Sequence, residues 1–179
     1  ADVKDVRAPE ALAVGLPTKR IESWKYVPTR GLTRTSWQPA SPQKTERFAV
    51  TGGQFVNVPA VDGLVISDTT LTASETKRLE GISQAHGFGL TQAALQNSRL
   101  VLTVQKTASV VLNLNHLANQ PSSAGFATLV IRVEAGAQLT LVEQFESTDT
   151  EKANLSSLRC LITLTRDSSV THVRFQAAN

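Results

Sequence analysis

The sequence predicts a mainly β fold with an α-helical N-terminal region, in which the β part is an incomplete parallel β-helix with only its first coils present. Three observations predict it. The first forty residues have the sequence pattern of short helices broken by prolines. From Arg99 onward the chain is rich in Val, Leu, Ile and Thr, which suit half-buried strands. This second part also repeats one design of strand, small polar turn and strand.

The repeat has a nearly constant spacing. Aligning the last apolar residue before each turn brings together Val104, Val133 and Leu164, at intervals of 29 and 31 residues. The turns QKTAS, EAGAQ and TRDSS have one length and favour small or polar residues. Such spacing predicts units that stack, because an isolated unit buries too little apolar surface to be stable alone.

An antiparallel sandwich is the competing fold, because strand–turn–strand is also the pattern of a hairpin. The regular period favours the β-helix, with residues 115–126 and 147–154 as loops on one flank. The third repeat is followed only by residues 177–179, without a capping element. We therefore expect a fragment, or a last coil that another subunit covers. An uncapped last coil also predicts self-association through open strand edges.

We divide the chain into an N-terminal helical region with a small hairpin segment, residues 1–97, and the start of the β-helix, residues 98–179. Gly52-Gly53 supplies the positive φ angles of a tight hairpin turn, and residues 64–66 are a further strand.

Helix returns after this hairpin segment. Thr72 and Glu75 form a capping-box pattern at a helix start, and Gly87 is expected to end that helix. Thr91 is expected to cap one more short helix, residues 92–96.

Composition limits the function classes. The net charge of +3 on 179 residues is too small to indicate nucleic acid binding. A single cysteine allows no intrachain disulfide and fits a reducing compartment. The first residues lack the apolar stretch of a signal peptide, and no apolar run approaches the ~20 residues of a membrane span. We expect a cytoplasmic protein that binds neither nucleic acid nor membrane.

The candidate ligands are sparse. An iron-sulfur cluster usually takes four cysteine thiolates, so the single Cys160 cannot hold one alone. We predict that Cys160 is a buried structural thiol. The histidines His86, His116 and His172 have no partner at ligand spacing, which predicts no metal site. His172 alternates with Val173, and we interpret it as an outward polar position.

The densest acidic group consists of Glu134, Glu143 and Glu146. Glu134 lies in a turn, and the other two are three residues apart on or after a strand, so they face opposite ways. Carbohydrate chemistry on a β-helix needs carboxylates on one face. We therefore predict that the chain is not an enzyme.

One segment resembles a known family. GLPTKRIESWKY at residues 15–26 is similar to the N-terminal signature of the SufB/SufD family, in which Gly-Leu-Pro, a basic pair and Trp-Lys-Tyr recur. Val27 stands where Thr is usual. Residues 48–67, residues 133–143 and residues 171–176 resemble later family segments more diffusely. We assign a structural role to the signature residues Gly15, Leu16, Pro17, Arg20, Trp24, Lys25 and Tyr26.

The resemblance implies a non-catalytic scaffold subunit of the SUF iron-sulfur cluster assembly complex, built on a right-handed parallel β-helix. The implied partners are a SufB-like subunit, bound through the β-helix, and a SufC-like ATPase, bound through a C-terminal domain absent from this sequence. The complete complex would handle the nascent iron-sulfur cluster, and this chain alone would bind no cofactor.

The alternative is a stand-alone β-solenoid protein that acts on or binds carbohydrate. It predicts clustered carboxylates or exposed aromatic residues along one face. The later repeats offer only Phe145 and Phe175 as aromatics.

Overall fold

The computed structural model describes residues 20, 34–67, 70–84, 87–118, 120–147 and 153–176. The chain forms two compact units: Ala1–Trp37 with Leu71–Gln96, and Gln38–Thr70 with Asn97–Asn179. Strands dominate the second unit, so the fold is mostly β, as predicted. None of the helices within the described ranges has the length and apolar character needed to cross a membrane.

The first unit contains the helices α1 (Ala73–Gln84) and α2 (Gly87–Ala94). The predicted capping box is confirmed at the start of α1. The Thr72 amide donates to Glu75 Oε2 at 2.8 Å, and the Glu75 amide donates to Thr72 Oγ1 at 3.2 Å. The prediction of a separate helix after Thr91 is wrong, because Thr91 lies inside α2 and its carbonyl accepts from the Leu95 amide as in any helical turn.

In the second unit, the described residues form ten strands in two five-stranded sheets. Sheet 1 has the order β1-β7-β5-β4 with β9 also on β7, and sheet 2 has the order β10-β8-β6-β2-β3. Two pairs, β2–β3 and β4–β5, are antiparallel and the other pairs are parallel, so both sheets are mixed. The strands are β1 Gln38–Pro39, β2 Ala49–Thr51, β3 Gln54–Val56, β4 Leu64–Ile66, β5 Ser98–Val104, β6 Ser109–Leu117, β7 Ser123–Val133, β8 Gln138–Glu146, β9 Leu155–Leu164 and β10 Ser169–Gln176.

The predicted repeat is the register of the parallel strands. Val104 of β5 pairs with Val133 of β7, and Val133 pairs with Leu164 of β9. The strands on either side of each turn belong to different sheets, since β5 lies in sheet 1 and β6 in sheet 2. The antiparallel-hairpin alternative for these repeats is therefore wrong.

The three turns have one backbone shape. Thr107, Gly136 and Asp167 occupy equivalent places and have φ angles of 61°, 71° and 56°. The Gly136 amide donates to the Arg166 carbonyl at 3.1 Å, so each turn is hydrogen-bonded to the next. A positive φ suits Gly and is tolerated by Asp, whereas Thr is unusual there. The small polar composition of the turns thus has a backbone cause.

The core lies between the inward faces of the two sheets. Alternate residues of each strand point into it, as the pleat requires. The largest fully buried apolar side chains come from strands of both sheets: Leu102, Leu112, Leu114, Leu129, Ile131, Leu139 and Leu141.

The hairpin segment belongs to the same unit as the later strands. Val50 of β2 pairs with His116 of β6, and β4 pairs with β5. The unit boundaries therefore differ from the expected boundary between residues 97 and 98, because non-local strand pairing joins Gln38–Thr70 to the repeats. A Cβ atom on Gly125 would lie 2.5 Å from the Gly53 amide nitrogen, so only glycine allows this close approach.

Residues 115–126 were expected to be a loop. That prediction is wrong for most of the segment, because β6 runs to Leu117 and β7 begins at Ser123. The ladder continues because Leu117 still pairs with Glu146 of β8. This extension of β6 keeps His116 on the strand, beside the site described next.

Candidate functional site

A buried carboxylate lies at the inward face of sheet 2. The alternation of β8 buries Leu139, Leu141 and Glu143, and the Glu143 side chain is 0% exposed. An ionised carboxylate removed from water is strongly destabilising unless charges or hydrogen-bond donors surround it. The partners around Glu143 therefore decide whether its burial destabilises the fold.

Three side chains from the neighbouring strands are hydrogen-bonded to the Glu143 carboxylate. His116 Nε2 of β6 lies 2.9 Å from Oε1, and His172 Nε2 of β10 lies 2.7 Å from Oε2. Arg174 of β10 donates to Oε2 through Nε at 3.0 Å and Nη2 at 2.7 Å. We call these four residues the Glu143 cluster. It links β6, β8 and β10 through one carboxylate.

The register explains why the cluster forms. Glu143 pairs with Leu114 of β6 and with Arg174 of β10, so the three residues share one inward column. His172 is the inward residue two positions earlier on β10. Side chains two residues apart on neighbouring strands are within reach of long polar groups.

The pKa of the Glu143 carboxylate is set by two opposing effects, burial and hydrogen bonding. Burial alone would raise the pKa of Glu143, but the hydrogen bonds from His116, Arg174 and His172 lower it to about 2. The group is therefore ionised at neutral pH. A carboxylate with so low a pKa is a poor proton acceptor, since general bases work best with a pKa near the operating pH.

His116 is held on two sides. Its ring stacks on Phe145 with centroids 4.0 Å apart and planes 5° apart, and the side chain is 1% exposed. Its Nδ1 atom has no hydrogen-bond partner in the part of the chain that the structure describes. A protonated Nδ1 would be a buried unsatisfied donor, so the Nε2–H tautomer, which donates to Glu143, is favoured.

Cys160 of β9 packs partly buried against the core from the opposite sheet. Burial, followed by the negative charge of Glu143, raises the pKa of its thiol to about 12. Cys160 is therefore a neutral thiol at physiological pH. Because nucleophilic attack and metal ligation need the thiolate, this environment disfavours both reactions.

No group of three or more His, Cys, Asp or Glu side chains with a geometry able to hold a metal ion occurs among the described residues. In the Glu143 cluster the Arg174 guanidinium is already hydrogen-bonded to the carboxylate. Its positive charge opposes the binding of a metal cation at the same carboxylate. His86 lies outside the described residues.

The other predicted acidic residues lie apart from the cluster. Glu134 is in its turn and accepts from the Lys106 amide at 3.0 Å. Glu146 points away from Glu143, as expected, and forms a paired hydrogen bond with Arg47 at 2.6 and 2.8 Å. An exposed pair of this kind contributes little to stability.

The residues of the family signature cannot be placed together. Gly15, Leu16, Pro17, Trp24, Lys25 and Tyr26 lie outside the described residues, and Arg20 is an exposed turn residue. The cluster, in contrast, was missed from sequence. The interpretation of His172 as outward-facing is wrong, because its half-buried ring is hydrogen-bonded to Glu143 on the inward face of sheet 2. Applying the 29 and 31 residue intervals to Glu143 would have placed it beside Leu114 and Arg174.

Compared with known proteins, the chain matches no family model and no curated sequence.

Proposed function

We propose that this chain is the N-terminal part of a SufD-like scaffold subunit of the SUF iron-sulfur cluster assembly complex. The GLPTKRIESWKY signature at residues 15–26 carries the proposal. The parallel ladders with register steps of 29 and 31 residues support it, because they suit the first coils of a right-handed parallel β-helix. The proline-rich start of the chain, predicted from the sequence to be helical, favours SufD over SufB.

The chain acts in this proposal as a structural element and not as a catalyst. The Glu143 cluster links three neighbouring strands of sheet 2. Its carboxylate and the Cys160 thiol have pKa values unsuited to acid–base or nucleophilic chemistry near neutral pH. One cysteine cannot supply the usual four thiolates of a cluster. The iron-sulfur cluster is thus cargo of the complete complex.

The partners follow from the same resemblance. A SufB-like subunit would pair through the β-helix, and a SufC-like ATPase would bind a C-terminal domain beyond this sequence. The proposed compartment is the cytoplasm.

The carbohydrate alternative gains no support. Its carboxylates should line an open face, whereas Glu143 is buried and Glu146 pairs with Arg47. The Phe145 ring stacks on the His116 ring, so of these two aromatic residues only Phe175, 58% exposed, is available to a sugar.

Affinity purification of the tagged, full-length protein from its source tests the proposal. We expect a SufB-like subunit and an ABC-type ATPase to copurify. The tagged 179-residue chain is the matched control and should recover no ATPase. Recovery of neither partner by the full-length protein contradicts the proposal. Reading the gene past the Asn179 codon is a second test, and we expect further ~30-residue β-repeats and a helical domain.

A further inference from the structure

We draw no further inference here: the strongest candidate, the outward face of sheet 2, on which Val111 and Phe175 are exposed at 59% and 58%, is a partly apolar surface, and nothing in the described part of the chain shows what covers it.

Discussion

Replacing Glu143 by Gln tests the structural role of the cluster. The amide keeps the shape and one acceptor oxygen but loses the charge. Its nitrogen is a donor and faces donors from His172, Arg174 or His116, depending on its orientation. The substitution therefore leaves at least one buried or half-buried donor unsatisfied.

The magnitude follows from the exposure of each partner. Removing one member of a fully buried ion pair costs about 3–5 kcal/mol. Arg174 and His172 are partly exposed and regain hydration, so their loss is smaller. The fully buried His116 loses a hydrogen bond to a charged group, worth about 1.5–3 kcal/mol. We expect the free energy of unfolding to fall by about 2–4 kcal/mol.

Urea denaturation followed by circular dichroism measures this loss. With a slope of about 2 kcal/mol/M, the midpoint should shift by about 1–2 M. Glu146→Gln is the matched control, because it makes the same change three residues later in an exposed pair and should shift the midpoint only slightly. Equal shifts for the two variants would refute the argument that the Glu143 cluster stabilises the fold.

Three further predictions follow. The pKa of Glu143 is lowered from 4.5 to about 2, so the stabilisation that its ionised form provides is complete above about pH 4.5 and is lost as the pH falls towards 2. The difference in unfolding free energy between the unsubstituted chain and Glu143→Gln should therefore shrink between pH 4.5 and 2. Cys160 should react with iodoacetamide at pH 8 at least about a hundredfold more slowly in the folded chain than in urea, and equal rates would contradict its raised pKa. Gly125→Ala should destabilise the β unit by about 1–3 kcal/mol, because its new Cβ atom would clash with Gly53. Gly81→Ala, in open space on α1, should leave the stability equal or raise it by up to about 1 kcal/mol. Urea midpoints that reverse this order would refute the packing argument.

Local patterns predicted the local structure well. The Thr72–Glu75 capping box and the Gly52-Gly53 hairpin depend on residues close in sequence, and both are present. The repeat spacing gave the register of Val104, Val133 and Leu164, because equivalent turns stack on one another.

The Glu143 cluster was not predictable in the same way. His116 is 27 residues from Glu143 and Arg174 is 31 residues from it, so no short motif contains them. Which face of β10 turns inward depends on the phase of the whole strand relative to its turn. His172 therefore looked like an outward polar residue when only its neighbour Val173 was considered. Similarly, the pairing of Val50 with His116 moved the hairpin segment into the β unit.

The change in register step from 29 to 31 residues is confined to one side of the β unit. Four residues separate β5 from β6, β7 from β8, and β9 from β10, so the turns do not vary. Five residues connect β6 to β7, whereas eight connect β8 to β9. Extra sequence is thus accommodated at residues 147–154 without a change in any strand pair. For protein engineering this connection is the natural insertion point for an epitope or a reporter, because doubling the number of residues between two fixed strand ends adds only about 0.6 kcal/mol of closure entropy.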